Sequence, residues 1–418
     1  MKYFLFIFLL FAFFLFNCTE KKPANRMNDE QLKAYADELA HKFIITDGHV
    51  DLPYRLEEEK FKGDSLELLK IIKTDKGDFD YERARKGGLS APFMSIYIPA
   101  SYQLHADMGK SLADSLITMV ENIVKVMPDK FALAGSPADV EMNFNAGKIS
   151  FPMGMENGAP IGNDLKNVKY FYDRGIRYIT LTHGKDNQIC DSSYDSLHTS
   201  HGLSQFGEQV VAEMNKVGIM VDISHVDDST FYDVMKLAKA PVIASHSSAR
   251  FYTPGFERNM NDDMIKLLAA NGGVIQINYG SNFLDSTYRA QNKIRSDKLE
   301  ALLKSKKLKA TDSLAKPVLE QFKKENPPFY ADIQHVADHI DHVVKLAGID
   351  HVGIGSDFDG VGDSLPTGLK DVSSYPNLVY VLLKRGYTEE DIEKICYKNV
   401  WRVWNKVIET SNELRAKS

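Results

Sequence analysis

Residues 49–51 read His-Val-Asp. In an extended strand positions i and i+2 point to one face, so His49 and Asp51 can reach a single cation together. Imidazole and carboxylate are both zinc-type donors. The same arrangement, an apolar run ending in a group that can bind metal or move a proton, recurs along the chain. Glu156 stands in Gly154-Met155-Glu156-Asn157-Gly158, and His183 follows Tyr178-Ile179-Thr180-Leu181-Thr182. His225 follows Asp222-Ile223-Ser224, His246 follows Ala244-Ser245, and Gly355-Ser356-Asp357-Phe358-Asp359-Gly360 supplies two candidate carboxylates. The two oxygens of Glu156 can bridge two ions, with His225 and His246 completing a second site, and the small residues around Glu156 are expected to leave room for metal. One such histidine alone is usually a packed core residue. Six strand ends of this kind on one rim point instead to a metal-dependent active site.

The elements that must position these residues are eight β-rich runs, 43–51, 91–99, 149–156, 178–183, 218–225, 241–246, 272–279 and 351–358. Most are separated by segments of helical length. Their near-continuous apolar character is that of parallel strands covered on both sides. Helices are expected at 203–217, at 227–238, which opens with acidic residues suited to a helix N-terminus, and at 330–346. Strands alternating with helices predict a (β/α)8 barrel of the TIM type, in which the C-terminal strand ends meet at one mouth.

The chain has 418 residues, 44% apolar and 26% charged, a balance that supports a full-sized core. Its 51 Lys and Arg against 57 Asp and Glu give a net charge of −6 with no basic stripe, which excludes a nucleic-acid binder. Lys2 and the apolar run 3–16 read as a signal peptide over 1–17, too short for the roughly 20 residues of a comfortable membrane span. Leu15-Phe16-Asn17-Cys18 resembles a bacterial lipobox, so Cys18 is the expected lipidation site, with 18–27 as a tether and 28–418 as one barrel domain. The expectation is an exported protein, lipid-anchored to a bacterial membrane in the cell envelope. Only Cys190 and Cys396 then remain, so disulfides are not the main staple.

Other polar clusters have plainer readings. His335, His339 and His342 share one helical face and are expected to serve packing and hydrogen bonding; His198 and His201 flank a Ser/Thr-rich loop. Ser247-Ser248 lacks the Gly-x-Ser-x-Gly elbow of a nucleophile. The charged segment 292–324 reads as a solvated helical excursion after the seventh strand, and 57–85 as a polar insertion without a role.

From about Ile45 to Val407 the chain resembles the renal or membrane dipeptidases of the amidohydrolase superfamily. The resemblance is carried by Asp47-Gly48-His49-Val50-Asp51-Leu52-Pro53, by 178–183, by Gly202-Leu203-Ser204-Gln205-Phe206-Gly207 and by Ser245-His246-Ser247-Ser248-Ala249. Arg258-Asn259, 336–342 and Asp357-Phe358-Asp359-Gly360 complete it. It implies two Zn2+ ions per chain, one held by His49, Asp51 and Glu156 and the other by Glu156, His225 and His246. It further implies that His183 binds substrate and the transition state, that Arg258 takes the substrate carboxylate, with Arg250 as competitor, and that Asp357 transfers the proton. The implied reaction is hydrolysis of a dipeptide by a metal-bridging hydroxide, and the resemblance favours a homodimer.

Fold and metals alone do not select an amide. Hydrolysis of an N-acyl amino acid, a lactone or an ester by the same two-metal chemistry is the rival within enzymes. A non-catalytic peptide-binding lipoprotein is the rival outside them.

Overall fold

The computed structural model describes residues 27–417 apart from 64 and 105. The expected signal peptide over 1–17, the expected lipidation site Cys18 and nearly all of the expected tether therefore lie outside the described residues. Among the described residues there are ten strands: β1 (Ile45–Val50), β2 (Leu89–Tyr97), β3 (Phe131–Leu133), β4 (Ile149–Phe151), β5 (Met153–Glu156), β6 (Ile176–Thr180), β7 (Met220–Asp222), β8 (Ile243–Ser247), β9 (Val274–Ile277) and β10 (Val352–Ile354). Eight of them close into an all-parallel barrel in the order β1-β10-β9-β8-β7-β6-β5-β2. This is the expected (β/α)8 architecture, and each expected run overlaps one barrel strand, with β2 and β6 beginning two residues earlier than expected and β8 ending one later.

The run 149–156 departs from expectation in one respect. Pro152 splits it, and β4 leaves the barrel to pair with β3 in a two-stranded sheet while β5 alone joins the barrel. Proline has no N–H to give a ladder, so a continuous central strand through it is not available.

Trp404, on the helix Asn399–Ala416, is fully buried against Phe93, their ring centroids 5.2 Å apart. With Val400, Val403 and Val407 it packs on the residues that open the strands, Ile44, Ala91, Met220, Ile243 and Val274. That apolar plug closes the N-terminal end and leaves the C-terminal end as the mouth.

The expected helices appear as Gln205–Val217, Asp228–Leu237 and Ile333–Ala347. Each has a capping side chain that accepts from an otherwise orphaned first-turn N–H: Ser204 from Gly207, Asp227 from Thr230, and Asp332 from Gln334 and His335. The charged excursion forms two helices, Ser286–Ser305 and Lys316–Glu325. Cys190 and Cys396 are both buried and both free thiols. No helix of the described residues is long and apolar enough to cross a membrane.

Candidate metal centre

The mouth of the barrel brings His49, Asp51, Glu156, His183, His225, His246 and Asp357 together. Glu156 is the hub. Its Oε1 lies 3.0 Å from His225 Nε2, 3.3 Å from His246 Nε2 and 3.6 Å from His183 Nε2. Its Oε2 lies 3.3 Å from His49 Nε2, which in turn is 3.3 Å from Asp51 Oδ2. Asp357 stands close enough to His49 and Asp51 for its carboxylate to share their space, and Asn278 Nδ2 donates to its Oδ2 at 2.7 Å.

The outer nitrogens of two of these histidines are fixed by partners that leave Nε2 bare. Tyr178 Oη donates its only proton to the carbonyl of Gly48 at 3.0 Å, so its 2.8 Å contact with His49 Nδ1 must be donated by the imidazole. Ser245 Oγ likewise gives its proton to Asp222 Oδ2 at 2.6 Å and accepts from His246 Nδ1 at 2.7 Å. Asp222 is held in turn by Thr180 Oγ1 at 2.5 Å and by the backbone N–H groups of Ser224 and Ser245. Imidazoles oriented by such outer partners are the usual form in which histidine meets a metal.

With their protons on Nδ1, both Nε2 lone pairs face carboxylate oxygens, an arrangement that a cation between them stabilises. His49 Nε2 and Asp51 Oδ1 are buried without a hydrogen-bond partner, as a ligand nitrogen and oxygen are before a metal is counted. Burial opposes charge on His49, yet Tyr178, Asp51 and Glu156 outweigh it and raise its pKa well above normal. The pocket therefore calls for positive charge beside those carboxylates. His225, pushed down by burial, Arg258 and His183, and His246, pushed down by burial, His49 and Arg258, stay neutral and free to ligate. The donor set fits divalent metal.

Two backbone positions are distorted to aim these groups. His225 and Asp357 take left-handed conformations, φ 71° and 63°, which cost a non-glycine residue about 1–3 kcal/mol each. Tight packing explains a third feature differently from expectation. The small residues around Glu156 make room for protein rather than metal, since a Cβ on Gly154 would stand 2.0 Å from the Tyr178 ring and one on Gly158 2.6 Å from Ile189. Gly154 is thus what lets Tyr178 reach His49.

The mouth opens into a cavity of about 490 Å³ lined by Asp51, Glu156, His183, His225 and Asp357 among others. His183 is pushed below its usual pKa by burial, against the pull of Glu156, and so is neutral at pH 7. Arg258 does not line this cavity. It is 3% exposed, with Nη1 on Ser247 Oγ at 2.6 Å and Nη2 on the carbonyl of His246 at 2.8 Å, and its Nε has no partner. Its guanidinium packs 5.3 Å from the ring of Phe283, which does line the cavity. Arg250 is no competitor, because Asp228 holds it in a two-bond fork at 2.8 and 2.5 Å and Asn259 takes its Nε.

Other sequence candidates fall outside the centre. Asp359 is tied to Arg55 through both oxygens at 2.9 Å. His339 accepts from Ala249 N and donates to Leu284 O, His342 meets Asp262, and His335 belongs to a helix cap, so this trio serves packing and hydrogen bonding as expected. His198 stands 3.6 Å from Asp227, within a loop whose Asp191 carboxylate accepts from the backbone N–H groups of Ser200 and Gly202. Tyr178, Asp222 and Ser245 were not singled out by sequence. A buried tyrosine at period two with Thr180, and an aspartate inside the apolar run 220–223, were the available signals.

An eight-stranded parallel barrel with a buried His/Asp/Glu cluster at its C-terminal mouth is the architecture of a metal-dependent hydrolase. Residues 33–418 match the model of the membrane dipeptidase family, peptidase family M19, and the chain belongs to that family. Among solved structures it is similar to the probable dipeptidase PvdM of Pseudomonas aeruginosa, 27% identical with a TM-score of 0.76 over 91% of this chain and 99% of that one. A metallopeptidase of Rhodobacter sphaeroides, solved with a phosphinate mimic of the dipeptide L-Ala-D-Ala, shares the fold at 24% identity. Its TM-score is 0.71, over 87% of this chain and 99% of that one. The protein is a hydrolase, a metallo-dipeptidase of the membrane dipeptidase type.

Proposed function

We propose that the protein hydrolyses dipeptides with two zinc ions, one held by His49, Asp51 and Glu156 and the other by Glu156, His225 and His246. The observation that carries this reading is the single carboxylate of Glu156, whose Oε1 faces His225 and His246 while its Oε2 faces His49. Held by these residues, divalent ions would supply a water activated near neutral pH and would polarise the scissile carbonyl.

The chain's own residues supply the rest. His183, neutral and lining the mouth, donates a hydrogen bond to the carbonyl oxygen as charge develops on it. Asp357 is pushed up to about 7 by burial and the charges of Asp51 and Glu156, against His49 and Arg258. A carboxyl in that range takes a proton from water and returns it to the leaving amine near neutral pH. Arg258 has an unpaired Nε to offer a terminal carboxylate, and that contact favours substrates ending one residue beyond the cut.

A substrate panel tests the reaction class. Dipeptides with free C-termini should turn over, while N-acyl amino acids, lactones and simple esters should be poor substrates; the reverse order would assign the site to another two-metal hydrolysis. The proposed setting is the cell envelope, with Cys18 lipidated and a homodimer as the assembly. Cys18→Ser should move the protein out of the detergent phase, and an unmodified Cys18 in the mature membrane fraction would refute the anchor.

A further inference from the structure

Five carboxylates line the mouth cavity, Asp51, Glu58, Glu156, Asp357 and Asp359. Four have partners or work already described: Asp51 and Glu156 among the imidazoles, Asp357 on Asn278, and Asp359 on Arg55. Glu58 has neither. It closes the helix Leu52–Glu58, is exposed, and makes no hydrogen bond or ion pair with any described residue. The negative end of a helix disfavours a carboxylate, so nothing local accounts for its placement.

Its surroundings are aromatic. Tyr54 and Tyr97 meet edge to face, ring centroids 4.8 Å apart, and both line the same cavity. The Glu58 charge reaches both rings: burial first, then Glu58, lifts the Tyr54 phenol above its usual value, and Glu58 adds to what burial and Glu156 do at Tyr97. The wall also has a defined place on the rim. Tyr97 ends β2, which lies four strands around the closed barrel from β8, where Ser247 and the His246 carbonyl hold Arg258.

We propose that Glu58, with the Tyr54–Tyr97 wall, is the subsite for a cationic side chain on the N-terminal residue of the substrate. The inference rests on the dipeptidase reading, in which the C-terminal carboxylate lies on the Arg258 side. The N-terminal residue then faces β1 and β2. Its α-amino nitrogen is bonded to the carbon next to the scissile carbonyl, which keeps it on the floor among Asp51, Glu156 and Asp357. Only the end of a long side chain reaches an exposed carboxylate on the rim. A lysyl or arginyl stem packs along tyrosine rings and carries its charge onward, so the wall and the carboxylate suit one ligand.

The test compares kcat/KM for L-lysyl-L-alanine with that for L-norleucyl-L-alanine, the neutral near-isostere, in the full chain and in Glu58→Gln and Glu58→Lys. The lysyl substrate should be favoured roughly 2–5-fold, the reach of an exposed charged contact. Glu58→Gln should bring the ratio to about one, and Glu58→Lys should shift preference toward L-glutamyl-L-alanine. A ratio unchanged in Glu58→Gln overturns the inference. So does an equal loss on both substrates, which would assign Glu58 to the α-amino group or to structure. If the unaltered protein cleaves both substrates equally, this inference alone fails; if it cleaves no dipeptide, the reading of the site fails and takes the inference with it.

Discussion

Tyr178 Oη stands 2.8 Å from His49 Nδ1 and passes its own proton to the Gly48 carbonyl, so the phenol acts toward the imidazole as an acceptor only. Tyr178→Phe removes that acceptor and leaves His49 free to place its proton on Nε2, where a metal must bind. The expected loss of metal affinity is about 10–100-fold, the usual worth of an outer partner of a ligand histidine. Titration of the apo-protein with Zn2+ against a competing chelator measures it. Activity at saturating metal should recover most of its original value, and an unchanged affinity would refute the positioning role.

Asp357→Asn keeps the shape of the side chain and its place beside Asn278 but removes the proton carrier. Elemental analysis should find the metal content unchanged. The expected fall in kcat is roughly 10²–10⁴-fold, the ordinary contribution of general acid–base catalysis. A variant that loses metal in step with activity would make Asp357 a ligand instead.

Arg258→Leu should chiefly raise KM for dipeptides with a free C-terminus, because a charge-assisted contact of about 1.5–3 kcal/mol is lost. An amidated dipeptide should be nearly indifferent to the change. Equal penalties on both substrates would restrict Arg258 to its structural bonds with Ser247 and the His246 carbonyl.

His339 ties the acid stability of the fold to the metal loop. Its Nδ1 accepts from the N–H of Ala249, three residues past His246, and its Nε2 meets the Leu284 carbonyl, so the ring is held neutral. Burial lowers its pKa from 6.5 to about 4, and nearby His342 and His335 add to that, outweighing the opposing bond to Leu284. Below pH 6.5 the unfolded chain takes a proton that the folded chain refuses. The contribution is therefore complete above pH 6.5, declines as pH falls toward 4, and amounts to about 3 kcal/mol over the interval. Denaturation midpoints from pH 7 to 4 should fall less steeply in His339→Gln than in the unaltered protein, and parallel curves would contradict the assignment.

The sequence exposed those features that depend on residue type at strand ends. His49, Asp51, Glu156, His225 and His246 each close an apolar run, and the barrel then brings strand ends together whatever lies between them. What it concealed depends on neighbours far along the chain. Tyr178 meets His49 across the barrel only because Gly154 has no side chain, and Arg55 reaches Asp359 across 304 positions. The same distance effect gives 57–85 a purpose. Asp78 accepts from the backbone of Asp359, and Asp359 from that of Asp78, at 2.8 and 2.5 Å, anchoring the insertion to the loop that carries Asp357. Pro152 was visible in the sequence, yet its effect on pairing was clear only once β3 appeared as a partner for β4.

In the proposed mechanism one carboxylate, Glu156, joins two zinc sites that perform the hydrolysis. Metal content and dipeptide turnover measured on the same preparations of the unaltered protein and of Glu156→Gln test it most directly. The unaltered protein should hold close to two zinc ions per chain, with activity lost to a chelator and restored by Zn2+, and Glu156→Gln should lose metal and activity together. A metal-free preparation that retains full dipeptidase activity would contradict it.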